Sequence, residues 1–310
     1  SVTVVGTRLR PQGVSAIVEL PFVARRVHAD VIVTHNFTPA FGRSAVFIHD
    51  YMFLTSPEWF TLTERVYFAL MPLTSRRATW LFSSSRTEAA RISRLSQGRT
   101  VTPIGLAVGS SLATAAPRKP EGLDDVSNDF LLCVGRLNAR KNLANTIQAA
   151  LQSGRLSAHA PLLIVGEPQG RSADLPAAVS DATEQGLIRF LGFIDDGELS
   201  WLYRNAAALL FFTRDEGFGL PVLEAHRFGA PVVASDLAVF REILGDHGTF
   251  ANPDDIAAMA SAINDAPRRP ARNPLSESAT HTAGEHVDLG YSWGASVRAL
   301  RARISATSAR

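Results

Sequence analysis

An α/β architecture of two parallel-sheet domains is predicted by three features of this 310-residue chain. Short apolar runs alternate with helix-period segments along almost all of it, the pattern of strands covered by helices on both faces. The chain exceeds the size at which a single hydrophobic core stops growing. Between two such alternating blocks lies a stretch rich in Ser, Ala, Pro and charge, without any period. The boundaries follow: a first domain at 1–108, a linker at 109–127, a second domain at 128–290 and a closing helix at 291–310.

In the first block, Val2–Val5, Val31–Thr34, Ala45–Ile48, Thr79–Phe82 and Thr100–Ile104 are predicted strands. Ser15–Val27, Pro57–Arg77 and Ser85–Leu95 are predicted helices, the last opened by the capping box Ser85-Arg-Thr-Glu88. Trp59, Leu62, Val66, Leu70 and Leu73 recur at helical spacing, which predicts a core-facing stripe and not a membrane anchor. The second block predicts strands near 130–134, 161–165, 188–191, 207–212, 231–234 and 248–250. Helices near 142–153, 174–186, 197–204, 219–229, 238–244 and 254–265 separate them. After the Pro/Arg-rich stretch 267–275, Trp293, Val297, Leu300 and Ile304 mark the last amphipathic helix.

Composition narrows the class. Hydrophobic residues make up 46% and charged residues 19%, as in an ordered globular protein. The net charge of +2 and the scattered arginine pairs give no basic block with interleaved aromatics, so nucleic acid is not an expected partner. The single Cys133 lies in an apolar strand and reads as a core residue in a reducing compartment. No apolar run reaches membrane-span length, and Ser1-Val-Thr-Val-Val lacks the layout of a signal peptide. The expected location is the cytoplasm, with a peripheral contact at the inner membrane face compatible with it. His281 and His286 have no third ligand in view, so no zinc site is expected.

The most informative segment is Arg214-Asp-Glu216-Gly217-Phe218-Gly219-Leu220-Pro221-Val-Leu-Glu224-Ala, which follows the apolar run 206–212. A strand, a glycine turn and a helix start expose backbone N–H groups to an anion. Glu216 and Glu224, with seven residues between them, flank that position. One carboxylate on sugar hydroxyls and one on a ribose would suit a nucleotide-sugar. A solvated acidic turn before a surface helix is the plainer alternative. Open parallel sheets bind ligands at the C-terminal ends of their strands. That puts the expected site in a cleft between the two facing domains.

This segment resembles the Glu-x7-Glu signature of the retaining glycosyltransferases of family 4, which have the GT-B fold. Leu131-Leu-Cys-Val-Gly135-Arg136-Leu-Asn-Ala-Arg-Lys141-Asn142 is similar to that family's strand, Gly-Arg and Lys-Asn run. Leu162–Glu167 and Phe190–Ile194 resemble its next two strands, and Phe47-Ile-His49-Asp50 its His-Asp step. The resemblance implies GT-B, two Rossmann-like domains facing a cleft, and assigns roles. Arg136 and Lys141 would stabilise the departing diphosphate without a metal, and no cofactor is implied. Glu216 would meet the transferred sugar, with backbone help from Gly217, Phe218, Gly219 and Leu220, while Glu224 would hold the ribose. Gly135 would lie beside the donor, with Phe193 and Ile194 against the base. His49 would approach the sugar's reacting carbon, with Asp50 orienting the site.

The implied reaction is retaining transfer of a hexose, mannose or rhamnose by the Ser-Pro-Glu-Trp context, from a nucleoside-diphosphate sugar. The acceptor would be a glycan or lipid-linked glycan of polysaccharide biosynthesis. The first domain lacks room for the family's opening strand–glycine loop–helix unit, so it is expected to be incomplete. The Pro103-Ile104-Gly105 turn also lacks the family's polar residues. An inert GT-B partner subunit or fragment, and a nucleotide-sugar epimerase on the same fold, stay open as alternatives. A dehydrogenase does not, because neither glycine cluster completes Gly-x-Gly-x-x-Gly.

Overall fold

Continuous apolar runs become strands because burial on both sheet faces leaves no polar side to alternate with. In the computed structural model, which describes residues 4–167, 178–267 and 289–308, the strands are four to five residues long in the second unit. The chain divides into two units, Ser1–Leu106 with Tyr291–Arg310, and Ala107–Gly290.

The first unit holds a parallel sheet in the order β1 (Ile32–His35), β2 (Ser44–Ile48), β3 (Trp80–Ser83) and β4 (Val101–Pro103). Val46, Ile48 and Leu81 cover one face with Phe37, Tyr51 and Ile92. Ala45, Trp80 and Phe82 cover the other, and Leu300 and Ile304 of the closing helix Trp293–Ser308 pack there.

Three expectations fail in this unit. Of the strand expected at Val2–Val5, residues 2 and 3 lie outside the described residues, and Val4 and Val5 are exposed and form no strand. The long helix over 57–77 is broken into a 3₁₀ turn, Pro57–Trp59, then α1 (Leu62–Phe68) and α2 (Leu70–Ser75). Thr61 and Glu64 form a reciprocal capping box that restarts the helix at Leu62. The stripe of Leu62, Val66 and Leu73 faces outward, with exposures of 73%, 66% and 59%. Tyr67, Phe68 and Met71 take the core instead. Apolar residues line both sides of α1–α2, so periodicity finds the helix but cannot choose the buried side. The larger aromatic side won, through contacts among Phe53, Phe60, Tyr67 and Phe68.

The second unit is a six-stranded parallel sheet whose order departs from chain order. Its strands are β5 (Leu131–Val134), β6 (Leu162–Val165), β7 (Ile188–Gly192), β8 (Ala208–Phe211), β9 (Val232–Ser235) and β10 (Gly248–Ala251). They lie β10-β9-β8-β5-β6-β7, so the chain starts mid-sheet, builds outward through β7, then returns to β8. The reversal falls between β5 and β8, and the loops leaving that switch point diverge to opposite faces and open a crevice. The helices that matter here are α3 (Leu143–Gln152), α4 (Asp196–Asn205), α5 (Leu220–Arg227) and α6 (Ala238–Leu244). Ser110–Thr114 is helical, and Leu123 and Val126 are buried within this same unit. Of the helix expected over 174–186, Ala178–Glu184 is observed, and its start lies outside the described residues. His281 and His286 also lie outside them.

Glycines let the strand ends close up. Gly166, at φ +131°, passes so near β5 that an added Cβ would stand 2.0 Å from the Gly135 carbonyl oxygen. Only a residue without a Cβ permits that approach. Gly166→Ala is therefore expected to lower stability by roughly 2–4 kcal/mol, through both strain and overpacking. Gly186 has φ +72° but its nearest neighbour would be 3.6 Å away. Gly186→Ala should accordingly lose only the left-handed backbone term, about 1–2 kcal/mol. Urea midpoints of the two variants check the ranking; equal losses would remove the steric account.

Candidate active site

The loop leaving β5 is shaped before it carries any chemistry. Gly135 has φ +143°, and Asn138 Oδ1 accepts a hydrogen bond from the Lys141 N–H at 3.2 Å, capping the 3₁₀ turn Ala139–Lys141. Asn142 is left-handed and buried, its Nδ2 donating to the Pro253 carbonyl at 2.7 Å. This fixes the exit of the turn, and α3 starts one residue later.

The two basic side chains of that turn converge on the loop leaving β8. Lys141 Nζ and Arg140 Nη1 each lie 2.6 Å from Glu216 Oε1. Arg140 Nη1 also donates to the Asp215 carbonyl at 2.7 Å. The Arg140 carbonyl in turn accepts from the Arg214 N–H at 2.9 Å and the Thr213 hydroxyl at 3.1 Å. Lys141 Nζ sits 4.3 Å from the Phe211 ring centroid, a further favourable contact for its charge.

Glu216 is only 8% exposed. Burial pushes its pKa up, but the charges of Lys141 and Arg140 prevail and hold it below the ordinary carboxylate value. Lys141 is pulled below the ordinary lysine value by burial, with Glu216 opposing. Both directions describe a buried carboxylate that stays ionised because it is paired.

After Glu216 the chain turns through Gly217 and Phe218 to Gly219, which is left-handed at φ +95° and caps α5. Phe218 is buried, anchoring the turn, and Leu220 is the first residue of the helix. Glu224 follows on α5, where its Oε2 accepts from the Tyr203 hydroxyl at 2.8 Å. Burial raises the Glu224 pKa; the Tyr203 bond lowers it in part, and Asp196 adds to the rise. Beyond β7, Phe193 is 80% exposed and Ile194 half-buried. Phe193 is therefore available to a ligand and is not part of the core.

Arg136 stands apart from this cluster. It is exposed at the end of β5, while Lys141 has Arg140 for its companion. A small pocket at the strand ends is lined by Gly135, Arg136, Lys141 and Phe211 among others. Sequence reading passed over Arg140, although the Arg140-Lys141 doublet was visible, and over Tyr203, for which no local spacing gives a signal.

In the first unit, His49 and Asp50 follow β2. The His49 N–H donates to Asn36 Oδ1 at 3.1 Å, and its ring meets that of His35 edge-on at 5.5 Å. Asp50 Oδ1 accepts from the Met52 N–H at 3.1 Å, where the helical turn Met52–Thr55 begins. His35, another residue not singled out from the sequence, has its Nε2 2.5 Å from the Gln12 amide nitrogen.

Residues 128–267 match the family described as glycosyl transferases, group 1. O-antigen chain mannosyltransferase B of Escherichia coli is 30% identical over 71% of this chain and 60% of its own length. Residues 128–267 of this chain are thus similar to the group 1 glycosyl transferases. A second relative is the O-antigen chain mannosyltransferase RfbU of Salmonella typhimurium, 27% identical over 77% of this chain and 65% of its own. The chain thus spans less than two thirds of the length of either relative.

HepE from Anabaena, solved with UDP-glucose, superposes with a TM-score of 0.59 at 20% identity, covering 79% of this chain and 71% of that one. Sucrose-phosphate synthase from Thermosynechococcus elongatus gives 0.55 at 20% identity, over 79% and 66%. These likenesses are of fold, and the fold is GT-B.

Desolvation first, and His35 second, hold His49 below the ordinary histidine value of 6.5. Protonating it opposes folding, so the stability it supports is present above its unfolded pKa and is lost as pH falls through the folded one. Imidazole NMR should show His49 titrating below 6.5. His35→Gln should move it up only part of the way, since burial is the larger cause. A His49 that titrates at or above the ordinary value would refute this account.

Proposed function

We propose that this protein is a retaining hexosyltransferase that uses a nucleoside-diphosphate sugar. The observation that carries the proposal is the Lys141–Glu216–Arg140 cluster at the sheet's switch point, with Glu224 on the helix that follows. Breaking the bond from the sugar C1 to the β-phosphate oxygen puts charge on a diphosphate. Lys141, already placed and partly desolvated, meets that charge without having to reorganise.

Glu216 offers the transferred sugar an ionised carboxylate, whose Oε1 is tied to the two cations. Glu224 offers the ribose hydroxyls a carboxylate oriented by Tyr203. Phe193 presents an exposed ring to the base. In the retaining reaction implied by the family resemblance, the acceptor oxygen bonds C1 on the face from which the diphosphate leaves. The departing phosphate oxygen takes the acceptor's proton.

The names of the relatives favour mannose over rhamnose as the sugar, and polysaccharide assembly as the setting. The acceptor in this reading is a glycan or lipid-linked glycan. The work is placed in the cytoplasm, with a peripheral contact at the inner membrane face. No helix among the described residues is long and apolar enough to cross a membrane, so such contact would be through a surface. Protein cations serve the leaving group in this mechanism, and it needs no metal.

Two experiments test the reading. Transfer from GDP-mannose to an alkyl-linked α-mannobiose, followed by NMR in EDTA, should give a product with the donor's anomeric configuration. An inverted product, or activity regained only with Mg²⁺ or Mn²⁺, would overturn it. In the same assay Lys141→Ala should lower kcat. Glu224→Gln should act mainly on donor KM, by about 1.5–3 kcal/mol for lost charged hydrogen bonds. A loss confined to KM in both variants would remove Lys141 from the chemical step.

A further inference from the structure

A lysine and a glutamate alone make a neutral pair. If Lys141 served a diphosphate while bound only to Glu216, the incoming anion would meet as much repulsion from the carboxylate as attraction from the ammonium. The site contains a second cation on that same carboxylate oxygen, which changes the balance. Two cations against one carboxylate leave one unit of positive charge. Arg214, the next basic residue along, is already paired with Asp254 at 3.1 Å and adds none.

We propose that Arg140 is a further residue of the donor site: it neutralises Glu216, so that the charge of Lys141 is left for the diphosphate. The inference rests on the donor reading given above and extends it. Arg140 suits the task for two reasons. Its guanidinium stays protonated in any folded protein, whereas burial draws Lys141 toward its neutral form. It is also fastened to the loop it neutralises. The side chain donates to the Asp215 carbonyl, and the backbone carbonyl accepts from Thr213 and Arg214. When an anion draws Lys141 away from Glu216, these bonds keep Arg140 on the carboxylate. Arg136 is left as an exposed cation at the rim, without this attachment.

Calorimetry with pyrophosphate, GDP and UDP on the full chain tests the proposal at the chemistry the three ligands share. Arg140→Met should weaken all three by roughly ten- to a hundredfold, the range of a charged interaction. Arg140→Lys, whose charge burial partly withdraws, should fall between the parent and Arg140→Met. Glu216→Gln alone should tighten pyrophosphate binding.

The deciding variant is Arg140→Met combined with Glu216→Gln. Removing the carboxylate should restore most of the pyrophosphate affinity lost with Arg140, which a purely structural role would not allow. Arg140→Gln, neutral but able to hydrogen-bond, replaces the methionine variant if that one melts early. Unchanged affinity in the neutral variants, or a double variant as weak as the single, overturns the proposal. So does a loss seen with Arg136→Met and not with Arg140→Met. A parent chain that binds none of the three ligands defeats the donor reading itself, and this inference with it.

Discussion

The second unit is organised around one buried carboxylate. An ionised carboxylate taken out of water without partners is penalised by several kcal/mol, and losing one partner of a buried pair typically costs about 3–5 kcal/mol. Glu216 can remain charged at its depth only if the turn after β5 reaches the loop after β8. The bonds that bring it there are spread over backbone and side chain: Asn138 caps the turn, Asn142 fixes its exit, and the Arg140 carbonyl takes two donors from the other loop. The ion pair therefore sets the distance between two loops that the sheet alone would leave free.

That closeness has a steric requirement. Gly166 lies against the Gly135 carbonyl, and a Cβ on Gly219 would stand 2.5 Å from the Phe240 ring on α6. Gly219 is also where the chain enters α5, so one residue sets both the packing of the helix start and the direction in which Glu224 projects. The glycines and the charges thus address the same problem: bringing backbone close to a site without filling it.

Much of this could be read from the sequence, for identifiable reasons. Most strands of the second unit are apolar runs, three of them ending at Gly135, Gly166 and Gly192, and each ends within a residue or two of its expected place. Glu216 and Glu224 stood out by their spacing across a glycine turn, and Lys141 by the likeness of its segment to a family run. The outward stripe of Leu62, Val66 and Leu73 was misread because α1–α2 is apolar on two sides, and only tertiary packing decides between them. Arg140 was passed over in favour of Arg136, which sits nearer the strand. Its importance comes from a loop 75 residues away, beyond any local pattern. Tyr203 meets Glu224 across 21 residues and two elements, and is equally invisible to spacing.

The two glutamates of the signature end up in opposite electrostatic states. Glu216 is held below the ordinary carboxylate value by two cations, whereas Glu224 is lifted above it by burial, with only a neutral phenol to soften the change. Environments that push paired titratable groups apart divide their labour. Glu216 is charged before any ligand arrives, and its partners are protein cations. Among the described residues the hydrogen-bond partner of Glu224 is the neutral Tyr203 hydroxyl, so donors supplied by a ligand would do for it what Lys141 and Arg140 do for Glu216. A hydroxyl pair donating to Glu224 favours its ionised form and draws its pKa down. The stretch from Glu216 to Glu224 thus carries one carboxylate settled by the fold and one that, in the proposed donor reading, the ligand's hydroxyls would settle.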